Sequence, residues 1–153
     1  MSAETKLALI QRLFDHVWNQ GQTQLLDELL VAEQTSDSLQ PAIQQIRANM
    51  RMLRAAFPDW QTTIEDTIVM PDRVLVRWTA CGTQRGEFMG MAPTGTWLET
   101  SGISVYFISG ERIREARVQR DSVEMIRQSW AELLRHTAMR PGRASCRAVR
   151  YCA

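Results

Sequence analysis

The chain has 153 residues, 44% hydrophobic and 23% charged, with a formal net charge of +1. This is the composition of one ordinary globular domain, and a charge so near zero argues for neither nucleic acid nor an anionic membrane as partner. No apolar run reaches bilayer length, and Met-Ser-Ala-Glu-Thr-Lys lacks the charged-then-apolar start of a signal peptide, so a cytoplasmic location is expected.

From about Thr5 to Trp18 the residues Leu7, Ile10, Phe14, Val17 and Trp18 fall on one helical stripe, with Leu13 at its edge. Asn19-Gln20-Gly21 then stops the helix. A short second helix is expected over Thr23 to Val31, followed by a polar loop from Ala32 to Gln40. Pro41 is placed to open a third helix, with Ile43, Ile46, Met50 and Leu53 as its apolar face. After Phe57-Pro58-Asp59 the period changes from helical to alternating. Strands are predicted over Gln61 to Val69, Val74 to Cys81, Trp97 to Ile108 and Ile113 to Arg120. Asp121-Ser122-Val123-Glu124 reads as a capping box opening a last helix, with Val123, Ile126, Trp130, Leu133 and Leu134 apolar. Helices, then an antiparallel meander, then one more helix define an α+β fold. The domain is expected to span residues 1–135. Residues 136–153 carry four arginines and no acid, and form a basic tail expected to be disordered. Cys81, Cys146 and Cys152 make no metal-ligand pattern, and their odd number argues against a disulfide framework.

Between the second and third strands lies Gly82 to Gly95, GTQRGEFMGMAPTG. A hairpin needs only about two to five connecting residues, so this loop is longer than topology requires. Two readings follow: a surface loop held by its own side chains, or the mouth of a binding cavity.

The sequence resembles the NTF2-like superfamily, and more closely the SnoaL-like polyketide cyclases and their ester cyclase relatives. The resemblance is carried by Val17-Trp18-Asn19-Gln20-Gly21, Phe57-Pro58-Asp59 and Val76-Arg77-Trp78-Thr79. It continues through Gly82-Thr83, Gly86-Glu87-Phe88-Met89-Gly90, Pro93-Thr94-Gly95 and Gly102-Ile103-Ser104, then Gly110 and Arg112-Ile113-Arg114-Glu115, ending at Asp121. It implies a cone of three N-terminal helices packed on a curved antiparallel sheet, with a short C-terminal helix. It also implies an enzyme that uses no metal and no cofactor, closes a ring of a polyketide-like intermediate by an aldol-type step, and pairs as a homodimer. In that family an acid just before the last helix exchanges the proton, and Asp121 matches its position.

On this reading the catalytic candidates are Asp121 and Gln84, the latter standing where relatives usually carry histidine. The substrate wall is expected to comprise Trp18, Phe57, Arg77, Phe88, Met89, Met91, Trp97, Phe107 and Arg117, around a hydrophobic small molecule. Phe107 takes a position often occupied by Arg or His, which removes a positive charge that would stabilise an enolate. Asp121 is equally a good helix N-cap, and the two roles are compatible. Three functions stay open: a cyclase or isomerase, a non-catalytic ligand-binding or dimerisation module, and a hydrolase in which Asp121 activates water.

Overall fold

Four strands pair in sequence order β1-β2-β3-β4, all antiparallel: β1 Gln61–Val69, β2 Arg73–Thr83, β3 Trp97–Ser109 and β4 Arg112–Arg120. The structure, a computed structural model, describes residues 1–31 and 39–135. The predicted polar loop over 32–40 falls mostly outside that range, and the predicted tail entirely so. Along β2 the residues Val74, Val76, Trp78 and Ala80 are buried while the intervening ones are more exposed, so one face of the sheet carries the core. In β3 the same face carries Leu98, Thr100, Ser104 and Tyr106.

Helices cover that face. α1 spans Ala3–Arg12 and continues without a break as a π-helical segment, Leu13–Asn19. The wider turn brings Leu13, Phe14 and Val17 all into the core. Leu7, expected on the apolar stripe, is 36% exposed instead. The second predicted helix is a single 3₁₀ turn, Thr23–Leu25, followed by α2, Leu26–Leu29. α3 spans Leu39–Ala56 and buries Met50, Leu53 and Ala56. Its expected apolar residue Ile43, like Trp130, Leu133 and Leu134 of the last helix, lies outside the described side chains.

Asn19 ties the π-helical segment to the sheet. Its side-chain amide donates to the Thr62 carbonyl (2.9 Å) and accepts from the Thr62 N–H (2.7 Å), standing in for a fifth strand at that point. This fixes Trp18 beside β1.

The last helix, α4, spans Ser122–Arg135. β4 ends opposite Gly102, which would leave Trp97 to Ser101 of β3 as an open edge. α4 covers it: the Asp121 N–H donates to the Ser101 carbonyl (3.1 Å), and the Gln128 side chain accepts from the Glu99 N–H (3.0 Å). The capping box is half made. Asp121 Oδ1 accepts from the Glu124 N–H (2.9 Å), but the Glu124 carboxylate turns to Arg127 and Gln128. Val123, expected to be buried, is 76% exposed, and Met125 fills the core in its place.

Candidate functional site

The loop after β2 is rigidly built around one side chain. Gln84 is fully buried, and its Nε2 lies 3.2–3.3 Å from the carbonyls of Gly86, Met91 and Ala92. Its Oε1 accepts from the Thr94 hydroxyl (2.9 Å). Facing backbone acceptors on one side and a hydroxyl on the other, the amide has its orientation settled by its partners. Below it, Asp59 accepts from both the N–H and the hydroxyl of Thr83, each at 2.7 Å. Partial burial works to raise the Asp59 pKa, but these bonds outweigh it and the group sits below its ordinary value. At the tip Phe88 and Met91 exchange backbone hydrogen bonds across Met89-Gly90, both with positive φ (51° and 78°). That is the geometry of a tight primed hairpin turn. Gln84, expected to face a substrate, is buried here and bonds the loop together.

Among the described residues two hollows stand out, one between the helices and the sheet and one beside α4. The first is an interior cavity of about 70 Å³ between the helices and the sheet. Phe14 and Trp18 of the π-helical segment, Leu53, Trp60 and Trp78 give it apolar walls, and Val118 and Arg120 of β4 stand at its mouth. Ser104 and Tyr106 are its polar end. The Trp78 Nε1–H donates to Ser104 Oγ (2.9 Å), with the Tyr106 hydroxyl beside Ser104 and Trp18. Burial pushes the Tyr106 pKa up to about 12, with the polar side-chain groups of Ser104 and Trp18 opposing the shift.

The second is an open groove of about 510 Å³ between α4 and the edge of β3. It is polar. Trp97, Glu99 and Ser101 form one wall, and Asp121, Glu124, Arg127 and Gln128 the other. Arg127 grips Glu124 through two short bonds (2.6 and 2.7 Å), and these with Gln128 hold the Glu124 carboxyl down at about 2. Asp121 differs. Its Oδ1 caps the helix, while Oδ2 has no hydrogen-bond partner among the described residues. Thr96, in the same groove, has a buried hydroxyl oxygen without a partner among the described residues.

The expected site residues are thus divided rather than gathered. Asp121 and Trp97 line the groove, and Trp18 lines the interior cavity. Phe57 and Phe88 stack edge to face (5.0 Å) inside the core, and Met91 packs beside them, so none of the three borders either hollow. Met89 is 59% exposed at the loop tip. Arg77, Phe107 and Arg117 lie on the bare face of the sheet, where Phe107 sits under the guanidinium groups of Arg73 (4.6 Å) and Arg117 (5.1 Å). Arg117 also pairs with Glu115 (2.6 Å). Strand alternation turns these three away from the core. Sequence reasoning missed Ser104, Tyr106 and Arg120, although inward alternation with Trp78 was the signal that pointed to them. Among the described residues no cluster of ligating side chains could hold a metal ion, and no helix is long and apolar enough to cross a membrane.

Helices over one face of a four-stranded antiparallel meander, with a hollow between them, define an α+β fold of the NTF2-like type. The profile of the SnoaL-like polyketide cyclases matches residues 8–129, and the chain belongs to that family. Among solved structures it is similar to TsrD from Streptomyces laurentii, at 22% identity and a TM-score of 0.75 over 86% of this chain and 98% of that one. A SnoaL-like polyketide cyclase from Agrobacterium tumefaciens aligns at 18% identity with a TM-score of 0.67, covering 84% and 98% of the two chains. Wild-type IdmH from Streptomyces antibioticus aligns at 25% identity with a TM-score of 0.64, covering 80% and 96%. No curated protein matches the sequence.

Proposed function

We propose that this chain is a cofactor-independent cyclase or isomerase of a hydrophobic, polyketide-like small molecule, with Asp121 as its proton-transfer group. The observation that carries the reading is the groove itself, where the Oδ2 of Asp121, open to solvent and unused by the helix cap, lies in the same hollow as the buried, unpartnered hydroxyl of Thr96. A carbon flanked by two carbonyls is acidic enough for a single carboxylate to deprotonate. The carbanion then attacks a carbonyl of the same molecule, and the alkoxide recovers the proton from the aspartic acid. Trp97 supplies an aromatic wall for the body of such a molecule. Gln84 has no part in this scheme, its amide being spent on the loop.

A second reading, ligand binding without catalysis, is favoured by the position of Asp121. Its side chain is exposed, and it lines a different hollow from the apolar one. Asp121→Asn separates the two. Asparagine caps helices as well as aspartate, so the thermal midpoint should stay within about two degrees. Turnover of a β-dicarbonyl ester should fall at least about 100-fold if the carboxylate moves the proton. Equal turnover by the two proteins would remove Asp121 from the chemistry and leave the binding reading. We also propose that the chain pairs with a second copy through the bare face of the sheet.

A further inference from the structure

We propose that Thr96 reads an oxygen at the end of the substrate remote from the reacting carbon, so that the groove selects its substrate by span as well as by the group that Asp121 deprotonates. The inference rests on the reading that Asp121 works on a small molecule held in this groove, and it adds the residue that recognises the molecule's far end.

Strand geometry sets the two ends of the groove apart. The Asp121 N–H is bonded to the Ser101 carbonyl, so Asp121 stands where β4 leaves the edge of β3. From there α4 runs back along that edge, with Gln128 on the Glu99 N–H and Ala131 beyond it. Thr96 lies at the other end, immediately before Trp97 opens β3. The ladder with β2 is unbroken over this stretch, and the bond from the Gln84 N–H to the Thr96 carbonyl (2.8 Å) extends it by one residue. Extended chain rises about 3.3 Å per residue, which puts roughly 16 Å between Thr96 and Ser101. One compact reacting unit cannot touch both ends. A molecule that bonds Thr96 while its acidic carbon meets Asp121 must be elongated.

Thr96 is built as a fixed end. Its carbonyl takes the Gln84 N–H, and its own N–H donates to the Thr94 hydroxyl oxygen (3.3 Å), which Gln84 Oε1 holds in turn (2.9 Å). With both main-chain groups occupied, the side chain alone is left to bind. Its Oγ1 is shielded from solvent and has no partner among the described residues. The residue as a whole is half-buried and lines the groove, so a turn about its Cα–Cβ bond exchanges methyl for hydroxyl at the groove surface. A buried hydroxyl without a partner is costly, and a ligand oxygen at this point relieves that cost. Trp97, next to it in the lining, offers a flat face to the carbon frame that carries such an oxygen.

The test uses the full chain and three acetoacetate esters. The para-hydroxyphenethyl and para-methylphenethyl esters share one shape and differ only in the terminal oxygen, while the para-hydroxyphenyl ester is two methylenes shorter. Binding is followed in Asp121→Asn, where proton transfer does not enter the readout, through the Trp97 indole N–H resonance assigned with Trp97→Phe. The long hydroxyl ester is expected to bind at least about fivefold more tightly than its methyl counterpart, the worth of one hydrogen bond. The short ester should bind no more tightly than the methyl one. Thr96→Ser should keep the preference, and Thr96→Val should reduce it to within about twofold. With Asp121 in place, Thr96→Val should raise KM for the long hydroxyl ester at unchanged kcat, because the remote contact is the same before and during reaction. Equal affinity for the two long esters, or a preference that survives Thr96→Val, overturns the role of Thr96. A short ester that binds as tightly as the long one overturns the span. Should Thr96→Val fail to fold, the three affinities with Thr96 in place decide alone. An intact preference beside turnover untouched by Asp121→Asn would remove the proton-transfer reading and leave Thr96 as the recognition residue.

Discussion

Gln84 stands where the family resemblance leads one to expect histidine. An imidazole there could donate at most one proton from each ring nitrogen. The loop of this chain turns three carbonyls toward a single point, and only an amide nitrogen with two protons and an oxygen opposite suits that arrangement. Gln84→Ala should therefore strand buried carbonyls and lower stability by about 3 kcal/mol, read as a fall in the urea midpoint at unchanged slope. Gln84→Glu keeps the size but replaces the donor with acceptors, and should be at least as damaging. If Gln84→Ala left the midpoint alone, the loop would be held by its backbone bonds and by Phe88. This role was not legible in the sequence. The three carbonyl partners belong to residues two to eight positions away, and nothing in their side chains announces which way their backbone faces. The cap at Asp121 was legible, because a short polar side chain before a helix finds its donor three residues on whatever the tertiary fold does.

At the scale of elements, strands were read more faithfully than helices. Alternation survives in β2 and β3 because both faces of each are defined by neighbours, and β1 emerged with its expected bounds. A helical stripe carries less information. It cannot tell an α-turn from a π-turn, so Leu13, expected only at the stripe's edge, lies in the core while Leu7 lies at the surface. The site was scattered by the same alternation. Arg120 and Asp121 are neighbours, yet one borders the interior and the other the groove across the sheet edge. Gly102 marks the point where β3 passes between the two. A methyl group built there would lie 2.5 Å from Trp78 Cζ2 and 2.6 Å from the Gln119 carbonyl. The Trp78 ring cannot retreat without giving up its bond to Ser104. Gly102→Ala should thus cost about 1–3 kcal/mol through overpacking, and it should shift the Trp78 indole resonance before global unfolding. A variant with an unmoved resonance and native stability would mean that the sheet bends freely at this point.

Among the described residues, nothing covers one face of the sheet. Ile68 (52% exposed) and Ile103 (45% exposed) lie on the bare side of the sheet, with Leu75, Val105 and Phe107 between and beside them. Four strands about 4.8 Å apart and about 30 Å long span roughly 600 Å², above the roughly 500 Å² a side that a specific interface needs. Charge is arranged across it as a second copy would require. β1 carries exposed Asp66 at one margin and β4 carries exposed Arg117 at the other. A twofold axis running along the strands lays β1 of one copy over β4 of its partner, which sets each Asp66 over the level of Gln119, two residues along β4 from an Arg117. The apolar stripe then meets itself at the centre, and the charged margins fix the register. The full chain should therefore scatter light as a particle of twice its 17.5 kDa mass. Ile103→Arg, which adds a cation opposite Arg77 in the sheet register, should return it to a monomer while keeping the circular dichroism of the fold. Asp66→Lys should weaken the dimer less, and Asp66→Lys combined with Arg117→Glu should recover part of the loss. A chain that is monomeric at about 100 µM, well above the dissociation constant expected of an interface this size, would mean that the bare face serves another purpose.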